Sequence, residues 1–162
     1  MNNTLILYCD ALVEPTNPGG WGCWAWLAIG PNGKRLRDAR GCIGRGPDVT
    51  NNRMEYLAVI EALRYTVGKA DMLAERGISV LLRSDSQLVI KQVLCEWGCN
   101  TPHLQPLCRE VQQLATDLNM AGVPVNFEWI PREQNTEVDA LTRQAYREAR
   151  AQARWQPVED VL

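Results

Sequence analysis

The sequence has a single histidine (His103), no surplus of positive charge and no run of about eighteen apolar residues. Each shortage removes a class of function. One histidine does not complete the imidazole or mixed imidazole–thiol sets that hold zinc. Without a long apolar run no membrane-crossing helix is expected. A net charge of −2, from 17 basic and 19 acidic residues, lacks the bulk basicity of most nucleic-acid binders. That exclusion is partial, because binding depends on local patches and a metal would neutralise several of the acids. The first residues, M-N-N-T-L-I-L-Y-C-D, carry no basic region and no small-residue cleavage site. No secretory signal is therefore expected, and a cytoplasmic location is. There is no low-complexity segment, internal repeat or interdomain linker. The reading is one domain over 1–153 with a short tail over 154–162, monomeric, with no obligate protein partner.

Six cysteines are present: Cys9, Cys23, Cys42, Cys95, Cys99 and Cys108. An even count allows three disulfides. Reduced thiols are the expectation, because the chain is long, apolar and without an export signal. Cys95 and Cys99 form C-x3-C, which no second pair completes as a zinc set. Cys9, in an apolar strand, reads as a small core residue.

The periodicities give five strands and four helices. Strands are expected at about 4–12, 21–30, 34–45, 78–82 and 123–130. Asn17-Pro18-Gly19-Gly20 and Pro31-Asn32-Gly33 are turns, so the first three strands form an antiparallel meander. I-S-V-L-L is the kind of continuous apolar run expected of a parallel strand buried on both faces. Helices are expected at about 52–75, 86–97, 103–121 and 135–153, with Gly77 and Gly122 closing the first and third. The order β-β-β-α-β-α-α-β-α makes an α/β fold: a five-stranded mixed sheet, three antiparallel strands then two parallel, with helices on both faces.

Four acids punctuate this frame. Asp10 ends L-I-L-Y-C-D, Glu55 sits in T-N-N-R-M-E, Asp85 follows V-L-L-R-S, and Asp139 lies in N-T-E-V-D-A-L. If the first and fourth strands are parallel neighbours, Asp10 and Asp85 share one sheet edge, where open α/β sheets bind ligands. Carboxylates brought together repel unless a cation sits among them, and an all-oxygen set suits magnesium or manganese. Such a cluster holding two divalent ions is the machinery of in-line phosphoryl transfer. Taken singly, each acid has a structural alternative. Asn52-x-x-Glu55 and Thr136-x-x-Asp139 fit capping boxes, and Asp85 or Ser86 fits an N-cap. Together that alternative must explain four coincidences of order and context. Asp10 resists it most, since a carboxylate ending a buried strand needs a partner.

Those segments, with N-P-G-G-W-G after Asp10 and S-D-S-Q-L-V around Asp85, resemble type 1 ribonuclease H over nearly the whole chain to about residue 150. T-N-N-R-M-E-Y-L-A-V-I-E-A-L is the most specific match. The resemblance implies a ribonuclease H-like fold and hydrolysis of the RNA strand of an RNA–DNA hybrid. It implies two Mg2+ ions, with Mn2+ able to substitute, and products with 5′-phosphate and 3′-hydroxyl ends. Asp10, Glu55, Asp85 and Asp139 take the place of the family carboxylates. Asp10 would bridge both ions, Glu55 and Asp85 would favour the one that positions water, and Asp139 the other. Asn17, Thr50, Asn51, Asn52 and Gln87 fall where substrate is held. Short amides and hydroxyls there read 2′-hydroxyls and minor-groove edges; the bland reading makes them turn and cap residues.

The departures are specific. Ala11 replaces the usual glycine, the loop to Asn17 is one residue longer, and C-E-W-G-C-N-T-P is too short for a basic protrusion. Asp48 stands where members often place a phosphate-binding base. Arg132, in the short loop I-P-R-E-Q-N, stands about where many members carry a histidine, and is assigned a phosphate contact or a part in product release. This short-loop form is similar to archaeal-type and some bacterial members.

Trp21, Trp24 and Trp26 alternate, which favours a core face over a stacking platform. Arg143, Arg147, Arg150 and Arg154 read as a solvated helix face running away from Asp139. The tail residues Trp155, Val158, Val161 and Leu162 are expected to dock on the domain. Two rival functions stay open: another nuclease of the same superfold, and a non-catalytic hybrid-binding module. T-N-N-R-M-E and the lack of an accessory domain weigh against the first, and the full set of four acids against the second.

Overall fold

The computed structural model describes residues 3–154; the tail residues Trp155, Val158, Val161 and Leu162 lie outside them. Strands β1 (Thr4–Glu14), β2 (Trp21–Ile29) and β3 (Arg35–Ile43) form the antiparallel meander. The turn between β2 and β3 is set by Gly33 at φ +79° and by Asn32, whose Oδ1 accepts the Lys34 N–H at 3.1 Å. The chain then runs α1 (Asn51–Val67), α2 (Ala70–Glu75), β4 (Ser79–Ser84), α3 (Gln87–Val93), α4 (Gln105–Met120) and β5 (Val125–Trp129). A 3-10 turn at Arg132–Gln134 leads to α5 (Thr136–Arg154). The sheet order is β3-β2-β1-β4-β5, with β4 parallel to β1 and β5 parallel to β4.

Side-chain alternation along β1 divides the molecule. Leu5, Leu7 and Cys9 face a core shared with α1, α3 and α4, where Tyr56, Val59, Ile60, Leu63, Val80, Leu82 and Val111 are buried. Tyr8, with Ala25, Leu27 and Ile29 of β2, faces Val138 and Leu141 of α5. The alternating tryptophans follow this division: Trp26 and Trp24 pack on the α1 side, and Trp21 lines the α5 side. Helix α1 is buried on most of its surface, including Glu55.

Several elements differ from the sequence expectation. The helix expected over 52–75 is two, because Gly68 ends α1 and the chain restarts at Ala70 as α2. The second expected helix stops at Val93: Cys95 takes φ +61°, and the Glu96 and Trp97 N–H groups both turn back to the Lys91 carbonyl. His103 precedes α4 rather than starting it. β4 is buried on one face only, Val80 and Leu82 alternating with half-buried Leu81 and Arg83, because α5 lies across β1, β2 and β3. Cys23 and Cys42, cross-strand partners on β2 and β3 with Cα atoms 4.1 Å apart, form a disulfide. The expectation of six reduced thiols is thereby corrected; Cys9, Cys95, Cys99 and Cys108 are free.

Candidate active site

Pairing between β1 and β4 ends at Cys9 and Ser84, yet β1 continues to Glu14. Asp10 and Asp85 are each the first residue past that last pair. The chain leaves β1 toward β2 on one side and reaches β4 on the other, so the gap between them is the switch point of the sheet. Glu55 enters it from the first turns of α1. One carboxylate oxygen from each of Asp10, Glu55 and Asp85 lies within 4.8 Å of the other two.

The capping alternatives resolve differently from the sequence patterns. Thr50, not Asn52, caps α1, its Oγ1 accepting the Arg53 N–H at 3.2 Å. Ser86 caps α3, accepting from the Val89 N–H at 3.3 Å, and Asp85 is left free to face the cluster. Glu55 caps nothing. It is 4% exposed, and its buried Oε2 has no hydrogen-bond partner.

Burial and mutual repulsion mark these groups electrostatically. Burial, then the charge of Asp85, pushes the Asp10 carboxyl up from 3.8 to about 8, with Asp139 adding to the effect. Burial and the charges of Asp10 and Asp85 hold Glu55 well above the carboxylate range. Asp85 is raised by burial and pulled back by the Arg132 guanidinium. A divalent cation fits this set. The donors are hard oxygens, one of them is a buried orphan, and every perturbed carboxyl has lost solvation that a cation would replace.

The fourth acid is placed less simply. Asp139, in the first turn of α5, reaches Asp10, but its Oδ2 accepts from Arg143 Nε at 3.0 Å. The arginine face of α5 therefore begins at the site with Arg143 and runs away from it along the helix. Arg132 is exposed beside Glu55 and Asp85. Asn17 is also exposed, and its Oδ1 accepts the Asn51 N–H at 3.1 Å, which fastens the β1–β2 loop to the start of α1. That loop folds closely. A Cβ on Gly20 would stand 2.4 Å from the Glu14 carbonyl oxygen, and one on Gly22 would stand 2.6 Å from Met54 Sδ. Asn52 and Gln87 are exposed at the same helix starts, and Thr50 is engaged as a cap.

One residue of the site escaped sequence reasoning. Asn135 is 1% exposed. Its Nδ2 donates to the Cys9 carbonyl at 2.9 Å, its own carbonyl accepts the Asp139 N–H at 3.1 Å, and its amide favours the charged form of Asp85. It ties β1, β4 and α5 together where their acids converge. Its signal in the sequence is the asparagine that opens N-T-E-V-D, just before the helix that carries Asp139.

This sheet order, with its helices on both faces, is the ribonuclease H-like fold. The solved structure of LC11-RNase H1, isolated from compost, superposes with a TM-score of 0.79 at 26% identity, covering 91% of this chain and 98% of that one. The sequence matches the RNase H family over residues 2–147. A ribonuclease HI of Caulobacter vibrioides is 30% identical over 161 residues, 92% of this chain and 97% of that protein. The bifunctional protein Rv2228c of Mycobacterium tuberculosis is 33% identical over 128 residues, 79% of this chain; the match spans 31% of the mycobacterial protein's length. The chain belongs to the ribonuclease H family, type 1.

Proposed function

We propose that this protein is a metal-dependent endoribonuclease that hydrolyses the RNA strand of RNA–DNA hybrids, leaving 5′-phosphate and 3′-hydroxyl ends. The observation that carries the reading is the convergence of Asp10, Glu55 and Asp85 in the open gap between β1 and β4, with a buried Glu55 oxygen left unpartnered. LC11-RNase H1, similar in fold at 27% identity and a TM-score of 0.75 in this state, has been solved with an RNA/DNA hybrid.

In this reading Asp10, Glu55, Asp85 and Asp139 hold two divalent ions, magnesium or manganese. When bound, such ions activate water, neutralise charge on the phosphate and assist the leaving oxygen. The chain's own residues do the rest. Asn135 fixes the spacing of the strand and helix that carry Asp10 and Asp139. Arg132 places a cation beside Glu55 and Asp85, where it favours their charged forms and can face a phosphate. Asn17, Thr50, Asn51, Asn52 and Gln87, at the starts of α1 and α3 and in the loop tied to α1, carry short amides and a hydroxyl toward the substrate in this reading. There they sort RNA from DNA by the 2′-hydroxyl.

A labelled RNA–DNA hybrid, duplex RNA and duplex DNA, each incubated with magnesium, manganese or chelator, test the proposal. The expected outcome is cleavage of the RNA strand of the hybrid, dependent on metal. Cleavage of duplex DNA instead would favour another nuclease of the superfold. Binding of the hybrid without cleavage under any metal would favour a non-catalytic module.

A further inference from the structure

Trp21 opens β2 on the sheet face that α5 covers. With Arg45, Arg150 and Ala153 it lines an open cleft at the end of that helix. The Arg45 guanidinium lies 5.9 Å from the Trp21 ring centroid, and the Arg150 guanidinium 5.4 Å from the Tyr146 ring centroid. Neither arginine has a carboxylate partner among the described residues. Two other arginines of this side are already engaged: Arg40 with Glu148 at 2.8 Å and Arg143 with Asp139 at 3.0 Å.

A ring face within about 6 Å attracts a guanidinium without consuming its N–H groups. Those groups can grip a phosphate in bidentate fashion. Arginine–ring pairs occur elsewhere in the molecule, at Arg37 and Arg83; what sets this cleft apart is two guanidiniums without a carboxylate partner among the described residues lining one opening, on a chain of net charge −2, which favours an anion there.

Position selects the anion. Trp21 directly follows the loop that carries Asn17. Arg45 lies on the segment between β3 and α1 that ends at Thr50. The cleft is therefore flanked by the two loops bordering the carboxylates. Along α5, Arg150 lies eleven positions beyond Asp139, which is about 16 Å of helix. At about 3.4 Å per nucleotide along a duplex axis, that span is roughly five base pairs.

We propose that the Trp21–Arg45–Arg150 cleft is a phosphate-backbone contact for the part of a bound duplex that extends beyond the carboxylates, each arginine holding one phosphate. The inference rests on the hydrolytic reading above, since only a substrate seated there extends to the cleft. Phosphate contacts carry no sequence information, and a phosphate is the same group in RNA and DNA, so the flank is read as either.

The test is fluorescence anisotropy in calcium with a hairpin-closed hybrid stem of about 4 base pairs and a hybrid of about 20 base pairs, across about 50–200 mM salt. Wild type is compared with the double variant Arg45→Gln, Arg150→Gln. On the longer duplex the variant's salt slope should fall by about two ions. Over that salt range the wild type then loses roughly twelvefold more affinity than the variant does. On the short duplex, whose ends do not reach the cleft, the two slopes should coincide. Equal slopes on the long duplex would overturn the proposal. So would an equal drop on both lengths, because the arginines would then act at the carboxylate site. A wild type that neither binds nor cuts the hybrid overturns the hydrolytic reading as well, which separates the two failures.

Discussion

Replacing Asp10 by asparagine should make the metal-free protein more stable. The folded site keeps the Asp10 proton up to about pH 8, whereas the unfolded chain releases it near 3.8. Between those values the folded state binds more protons, so its stability falls as pH rises from about 4 to about 8. At pH 7 the gap of 3.2 pH units between 7 and 3.8 corresponds to about 4 kcal/mol against the folded state. Asparagine carries no such penalty, and its Oδ1 can still accept from the Ala11 N–H that Asp10 engages. Asp85 and Asp139 share part of the relief, so the expected gain at pH 7 is about 1–4 kcal/mol, a rise of several degrees in Tm. At pH 5 the same arithmetic leaves at most about 1.6 kcal/mol. Thermal melts of both proteins in chelator at the two pH values measure this directly. Added magnesium should then invert the order, because the wild type gains by binding linkage and the Asp10→Asn protein gains less. Cleavage by the variant should be lost. A variant that melts lower than wild type in chelator, or a gap indifferent to pH, would refute the account of Asp10 as a strained ligand.

Asn135→Ala should lower stability by about 1–3 kcal/mol, since the Cys9 carbonyl loses its buried donor. It should also reduce kcat more than it raises KM, which paired melting and steady-state measurements can separate. Gly22→Ala should cost about 1–3 kcal/mol by forcing Met54 aside next to Glu55; an unchanged melting temperature would show that Met54 repacks freely. Arg143→Gln should change metal-free stability by a few tenths of a kcal/mol at most, because the pair is exposed. By releasing Asp139 it should tighten magnesium binding, seen as a larger magnesium-induced rise in Tm than in wild type.

The site was legible where local sequence alone dictates position. Asp10 and Asp85 each follow an apolar strand run, and once β1 and β4 are neighbours both must emerge at one edge. Glu55 was legible from its motif. Its burial was not, because that depends on the gap left where β1 outruns β4. The Cys23–Cys42 bridge depends on the register of β2 against β3, which composition does not encode. The break at Gly68 was hidden because the sequence around it stays compatible with a helix on both sides. Asn135 was overlooked because its partner, the Cys9 carbonyl, is 126 residues away and belongs to the backbone.

The four acids are delivered at very different times during synthesis. β1, α1 and β4 bring Asp10, Glu55 and Asp85, so half the chain already contains the three residues of the tight cluster. Asp139 and its anchor Asn135 arrive only with α5, the last element described. In chain order the set is therefore completed by the same stretch that brings the Asn135 amide, the group that ties β1 to α5.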